Sequence, residues 1–110
     1  MSSRLFRKVK AKYKRKLFSD RATLGENVNI TAGCACSSIS KESIIIGNNC
    51  DLADCSFYTM GEGKITLGSY STVRYNSKII STCGVEIGEY AIISNNVRIY
   101  DNNNHPTDPQ

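Results

Sequence analysis

His105 is the only histidine of the chain and the side chain best suited to proton transfer near neutral pH. An imidazole has an unperturbed pKa of about 6.5, so its neutral form can take a proton from a hydroxyl at pH 7. Pro106 and Pro109 follow it, break the strand pattern and predict an outward loop. A solvated or structural histidine is the alternative interpretation.

Asp101 lies four residues before His105, in the run Tyr-Asp-Asn-Asn-Asn-His-Pro. Its carboxylate is placed to orient the imidazole or to bind a hydroxyl of a substrate. An Asx turn with the following asparagines is the structural alternative. The sequence leaves both interpretations open.

The cysteines form an odd set without a CxxC spacing, namely Cys34, Cys36, Cys50, Cys55 and Cys83. This pattern argues against a zinc ribbon or a secreted disulfide framework and indicates reduced thiols. We expect them to be buried small hydrophobic side chains, and we predict no metal site.

A repeat indicates the elements that must position these residues. A Leu/Ile-Gly pair recurs at intervals of 22, 21 and 20 residues, as Leu24-Gly25, Ile46-Gly47, Leu67-Gly68 and Ile87-Gly88. Self-similarity at this period is typical of a solenoid, in which each repeat packs only on its neighbours.

Within each interval a six-residue period places an aliphatic residue at position one and a compact residue at position five. The expected first positions are Leu24, Ile30, Ile46, Leu52, Leu67, Val73, Ile79, Ile87, Ile93 and Ile99. The expected fifth positions are Val28, Cys34, Cys50, Ser56, Ser71, Ser77, Cys83, Ala91, Val97 and Asn103. Both sets should point into a narrow triangular tube.

Surplus residues and turn residues follow the same rhythm. The surplus residues fall at 40–43, 61–64 and 82–84, which predicts loops along one edge. Gly and Asn in runs such as residues 47–49 and 94–96 allow a positive φ at the turns. An ordinary β-sandwich would instead alternate with period two.

The basic front segment is a separate unit in this prediction. Residues 1–22 hold nine of the fourteen Lys and Arg residues but a single acid. Within residues 4–18, four apolar side chains recur every fourth position, at Leu5, Val9, Tyr13 and Leu17, as on one face of a helix. Such a helix can cover the open first coil or lie on an anionic membrane surface. Nucleic-acid binding is disfavoured, because no recognised reading motif accompanies the charge.

We therefore predict an all-β solenoid with an N-terminal basic helix. The predicted units are a helical cap at residues 1–22, coils at residues 23–104 and the start of a catalytic loop at residues 105–110. The sequence has neither an apolar run of membrane-spanning length nor a signal peptide pattern. We expect a cytoplasmic protein, in contact with the inner face of the membrane if residues 4–18 bind lipid.

The repeats at residues 46–50, 67–71 and 87–91 resemble those of the hexapeptide-repeat acyltransferase superfamily. The resemblance covers about residues 24–110. It implies a left-handed parallel β-helix, an exception to the usual handedness of parallel crossovers. It also implies a homotrimer acting on acyl-CoA, and further coils beyond residue 110, so that this chain is the front part of the enzyme.

The run ending in His105-Pro106 resembles the signature that carries the catalytic histidine in sugar and xenobiotic O-acetyltransferases of that superfamily. The resemblance implies a transfer of acetyl from acetyl-CoA to a hydroxyl of a sugar, polysaccharide precursor or glycolipid, with His105 as general base. Asn76 lies near the position of an acceptor-binding asparagine, with Arg74 and Tyr75 as open alternatives. N-acylation of an amino sugar and a non-catalytic scaffold are the alternative functions.

Overall fold

The computed structural model describes Val9, Lys12, Tyr13 and residues 15–101. In this range the chain forms twelve short strands, arranged in three parallel four-stranded sheets. Every coil contributes one strand to each sheet, and successive coils stack. The predicted all-β solenoid is therefore confirmed.

Each sheet runs along the solenoid axis. The first contains β1 (Thr23–Leu24), β4 (Ile44–Ile46), β7 (Ile65–Leu67) and β10 (Val85–Ile87). The second contains β2 (Asn29–Ile30), β5 (Asp51–Leu52), β8 (Thr72–Val73) and β11 (Ile92–Ile93). The third contains β3 (Ala35–Ser37), β6 (Ser56–Thr59), β9 (Lys78–Ser81) and β12 (Arg98–Tyr100). A short 3-10 helix, Lys41–Ser43, precedes β4.

The Leu/Ile-Gly repeat sets the register of the first sheet. Leu24 pairs with Ile46, Ile46 with Leu67, and Leu67 with Ile87. Of the ten expected first-position aliphatics, seven are buried, and the other three, Leu24, Ile87 and Ile99, pack partly buried against the core. Stacked aliphatic side chains thus fill the tube, as the six-residue period predicts.

Two expected inward positions are wrong. Ser56 is only half-buried, and Cys55 occupies the interior instead, because the turn between β5 and β6 is one residue shorter than the turn between β8 and β9. Cys83 is exposed, because the chain has already left the tube after the buried Ser81. Asn103 lies outside the described residues.

The turns between the first and second sheets use glycine differently from our expectation. Positive φ is found at the third residue of these turns, for example at Asn49 (φ 58°) and Tyr90 (φ 59°), and not at glycine. Gly47 is needed for close stacking instead. A Cβ there would lie 2.6 Å from the backbone nitrogen of Ser69 in the next coil.

Two other corners matter for the site. We call the turns between the second and third sheets, residues 31–34, 53–55, 74–77 and 94–97, the asparagine corner. The connections from the third sheet to the first, residues 38–43, 60–64 and 82–84, are called the loop corner. The predicted surplus residues all lie at the loop corner, so insertions are confined to one edge of the solenoid.

Helical conformation precedes the first coil, at Val9, Lys12 and Tyr13 and over residues 15–19. Phe18 enters the mouth of the tube and is 1% exposed. Of the expected apolar stripe, Leu17 is half-buried beside Phe18, whereas Val9 is 57% and Tyr13 64% exposed. One large ring at the end of the helix covers the interior, which leaves Val9 and Tyr13 on another face. Leu5 lies outside the described residues.

Among the described residues, no helix has the length and hydropathy that a membrane crossing requires.

Candidate active site at the loop corner

A column of polar side chains marks the points where third-sheet strands enter the loop corner. Thr59 pairs with Ser81 in the strand register, and Asp101 follows in the same column, one residue after the pair Tyr100 and Ile80. Each of these side chains caps the loop of the coil before it. Thr59 Oγ1 accepts a hydrogen bond from the Ile39 N–H at 3.2 Å, and Ser81 Oγ accepts one from the Lys64 N–H at 3.1 Å.

The Asp101 carboxylate is the most strongly bound member of this column. Its Oδ1 accepts a hydrogen bond from the Thr82 N–H at 2.7 Å. Its Oδ2 accepts hydrogen bonds from the Cys83 N–H at 3.0 Å, the Gly84 N–H at 2.5 Å and the Ser81 hydroxyl at 2.9 Å. Three consecutive backbone donors and one hydroxyl therefore converge on one carboxylate, as in an anion-binding nest.

We call the four donors around this carboxylate, from residues 81–84, the cradle, and they fix the charge state of Asp101. Burial opposes ionisation, but it is outweighed by the hydrogen bonds from Gly84, Thr82, Cys83 and Ser81, which lower the pKa of Asp101 from 3.8 to about 2. The carboxylate is thus anionic at neutral pH and serves as an acceptor, not as a proton donor. The predicted Asx turn concerns asparagines outside the described residues.

A shallow depression of about 340 Å³ adjoins the cradle on the side of the first sheet. Cys83 and Gly84 form one wall, and Lys64, Thr66 and Glu86 also line it. Lys64 is exposed and brings an ammonium group to this surface. The depression therefore offers an exposed cation beside the loop that Asp101 holds.

Asn76 lies at the other corner and is exposed. It adopts the left-handed conformation, with φ 60°, and its N–H donates to the Asp54 carbonyl at 2.9 Å. Its Nδ2 donates to Asn96 Oδ1 in the next coil at 2.8 Å. These contacts give Asn76 a role in the turn, whereas acceptor binding by Asn76, or by the exposed neighbours Arg74 and Tyr75, stays a prediction.

Two of the three predicted site residues lie apart from each other. Asp101 and Asn76 lie at different corners, and His105 lies outside the described residues. Sequence reasoning missed the backbone donors of residues 82–84, although it identified that segment as a loop. Their separation from Asp101 by about one coil is the signal that could have found them, since residues one coil apart lie side by side in a solenoid.

Four of the five cysteines are buried in the tube, as expected, while Cys83 is exposed. Cys34 Sγ and Cys55 Sγ lie 4.0 Å apart. The hydrogen-bonded Cys34 sulfur and burial both raise the pKa of Cys55. Burial also raises the pKa of Cys36 to about 11, although the Arg21 guanidinium opposes this. Cys36 and Cys55 are therefore poor nucleophiles, because a protonated thiol inside the tube is neither reactive nor accessible.

Within the part of the chain that the structure describes, no group of three or more His, Cys, Asp or Glu side chains is arranged to hold a metal ion.

Comparison with known proteins gives one informative match. The chain is 36% identical over 88 residues to a dTDP-4-amino-4,6-dideoxy-D-glucose acyltransferase of Escherichia coli. The match includes 76% of this chain and 42% of that relative, so the chain spans less than half of the relative's length. No protein-family model and no solved structure matches the chain significantly.

Proposed function

We propose that this chain belongs to a hexapeptide-repeat acyltransferase, wound as a left-handed β-helix, that transfers acetyl from acetyl-CoA to a sugar. The identity of 36% to an amino-sugar acyltransferase carries this proposal. The four-coil solenoid agrees with it, because stacked coils of this kind are what the Leu/Ile-Gly repeat of the superfamily builds.

The acceptor atom is the point on which the two candidate reactions differ. The name of the relative favours an amine on a nucleotide-linked 4-amino sugar. The Asp-Asn-Asn-Asn-His-Pro run favours a sugar hydroxyl, because it resembles the signature of O-acetyltransferases. Both reactions need the same proton transfer, so one catalytic group serves either acceptor.

We assign that proton transfer to His105. As general base, its neutral imidazole takes the proton of the attacking amine or hydroxyl while the new bond forms at the thioester carbonyl carbon. The resulting imidazolium then protonates the departing CoA thiolate, so the proton balance closes without a covalent acyl-enzyme. The N–H groups of residues 82–84 already bind Asp101, so we expect other backbone donors to stabilise the tetrahedral oxyanion.

Asp101 and the neighbouring depression have proposed roles in the same reaction. The anionic Asp101 lies four residues before His105 and is held rigidly by the loop corner, which suits a group that orients the imidazole or binds an acceptor hydroxyl. Lys64 at the depression is a candidate contact for a CoA phosphate. The resemblance further leads us to propose a cytoplasmic homotrimer, for which a monomer in a size measurement would be contrary evidence.

The test uses the protein that contains residues 1–110, incubated with acetyl-CoA and either a dTDP-linked 4-amino-4,6-dideoxy sugar or its 4-hydroxy counterpart. Mass spectrometry of the sugar product decides between amine and hydroxyl. His105→Ala should lower turnover by about 10²-fold or more. Glu26→Ala, at an exposed turn between the first and second sheets, is the matched control and should act normally. Near-normal turnover of the His105 variant would overturn its role, and no product from either sugar would overturn the reaction.

A further inference from the structure

The N-terminal helix has two opposite faces with different surroundings. Phe18 packs edge-on against Phe57 inside the tube, with the ring centroids 5.9 Å apart. Val9 precedes Phe18 by nine residues, which is two and a half turns at about 3.6 residues per turn. Val9 therefore lies on the side opposite the solenoid, in agreement with its 57% exposure.

The outward face combines apolar and cationic side chains. Val9, Lys12, Tyr13 and Lys16 are separated by three or four residues, so they are neighbours on one helix face. Together they line one shallow, largely apolar depression. Val9 and Tyr13, which are 57% and 64% exposed, lie next to each other in this depression and form one apolar patch that is open to solvent. We call these four residues the outer face.

Contacts with the first coil hold this orientation. The Arg15 guanidinium donates a hydrogen bond to the Val28 carbonyl, and the Arg21 guanidinium donates to the Cys36 carbonyl at 3.2 Å. The Ser38 hydroxyl donates to the Arg21 carbonyl at 2.6 Å. With Phe18 buried beside these contacts, rotation of the helix to bury the outer face would break them. The outer face is thus a fixed surface of the protein.

The distribution of charge identifies what can cover this surface. Residues 1–22 carry nine Lys and Arg residues against one acid, whereas the rest of the chain carries more acids than bases. A second copy of the helix would meet the outer face with the same positive charge and be repelled. A nucleic acid would match the charge but would leave Val9 and Tyr13 without an apolar partner. An anionic lipid surface matches both, because apolar side chains enter the headgroup boundary while ammonium groups meet phosphates.

We propose that the outer face binds the solenoid to a membrane surface that contains anionic phospholipids. The basic helix end then faces the lipid, and the more acidic coils face away. This orientation follows from the charge asymmetry of the chain and does not depend on the proposed acyl transfer.

Vesicle flotation of the protein that contains this chain tests the proposal. The probes are vesicles of pure phosphatidylcholine and vesicles in which about a quarter of the lipid is phosphatidylserine. We expect the protein to float with the anionic vesicles at low salt and to be released from them at high salt. It should not bind the neutral vesicles. Failure to float with anionic vesicles at low salt would overturn the proposal, as would equal binding to neutral ones.

Charge-reversal variants locate the contact. Lys12→Glu with Lys16→Glu should weaken vesicle binding by about 30-fold or more, because two cations at the lipid surface become anions. Lys41→Glu with Arg98→Glu changes the net charge equally at exposed positions on the solenoid and should bind nearly as well as the parent protein. Equal loss in both pairs would mean general charge attraction and would refute the outer face as the contact. Circular dichroism must show the same melting curve for both pairs.

Two further outcomes concern the alternative occupants. Concentration-dependent self-association that Lys12→Glu and Lys16→Glu strengthen would identify a second copy as the occupant. Tight binding to duplex DNA at salt concentrations that release the vesicles would identify a nucleic acid. Either result would overturn the membrane proposal.

Discussion

The asparagine corner and the loop corner belong to the same coils but are built in different ways. In the last three turns of the asparagine corner, Asp54, Asn76 and Asn96 repeat one left-handed conformation, with φ between 51° and 62°, and stack on one another. At the loop corner the connections run from three to six residues, against three or four at the asparagine corner. The caps at the loop corner also change from coil to coil, from a hydroxyl at Thr59 and Ser81 to a carboxylate at Asp101.

This difference separates what the fold requires from what it tolerates. The asparagine corner is constrained by stacking, because its turns exchange backbone hydrogen bonds with the neighbouring coils, as from the Asn76 N–H to the Asp54 carbonyl of the coil before. At the loop corner, hydroxyls cap two loops adequately with one backbone donor each, so stacking alone does not require a carboxylate at position 101. Loops on one edge are also where solenoids usually place binding residues. Asp101 is therefore the stronger candidate for function, and Asn76 the stronger candidate for structure.

The largest expected effect comes from Gly63, a position of the loop corner that has no room for a side chain. A Cβ on Gly63 would lie 2.0 Å from the Ser81 carbonyl oxygen of the next coil. Gly63→Ala should therefore lower the free energy of unfolding by about 3 kcal/mol, as overpacking of a tight site does. Glu62→Ala, at an exposed position of the same loop, is the control and should change it by less than about 0.5 kcal/mol. Urea unfolding measures both, and equal effects would mean that the close contact at Gly63 does not constrain the loop.

Asp101 variants measure what the carboxylate adds to its loop. Asp101→Ala should cost about 2 kcal/mol of unfolding free energy, because it leaves the three N–H groups of residues 82–84 without their charged acceptor. Asp101→Ser restores the hydroxyl cap of the preceding coil and should cost about half as much. If Asp101 also serves the reaction, the Ser variant should still lose turnover at temperatures where it stays folded. Normal turnover of a folded Asp101→Ser variant would restrict Asp101 to loop stability.

The pH dependence of stability should reveal the same carboxylate. The pKa of Asp101 is about 2 in the folded chain against an ordinary value of 3.8. A lowered pKa means that the anion stabilises the fold, fully so above about pH 4, and that this contribution is lost as the pH falls towards 2. Asp101→Asn has no carboxylate at this position. The difference in unfolding free energy between this variant and the parent protein, which is largest at pH 7, should therefore shrink as the pH falls from about 4 towards 2. A difference in unfolding free energy that is constant between pH 5 and 2 would contradict the lowered pKa of Asp101.

Much of this arrangement could be predicted from the sequence, and the failures have physical causes. The register of the coils was predictable, because aliphatic residues recur at positions that must face a narrow tube. The shortened turn at Asp54 and Cys55 was not, since a six-residue count cannot detect one missing residue when Ser56 is as small as Cys55. The apolar stripe predicted that one face of the helix is apolar, but not what that face contacts, because Phe18 occupies the mouth of the tube instead. The cap contacts of Asp101 join residues one coil apart, which local patterns do not reveal.

The smallest expected effect decides the role of Asn76. At φ 60° an alanine is strained, because its Cβ disfavours the left-handed conformation, which asparagine tolerates and glycine adopts freely. Asn76→Ala should therefore cost about 1 kcal/mol of unfolding free energy, whereas Asn76→Gly should cost only a few tenths, chiefly from the lost contact with Asn96. Asn76→Gly thus removes the amide while it keeps the turn. If Asn76 only builds the turn, the KM for the acceptor should stay unchanged in the Gly variant. A KM raised about tenfold, with unchanged unfolding, would instead return Asn76 to the acceptor site, because only a lost contact with substrate raises KM without a change in stability.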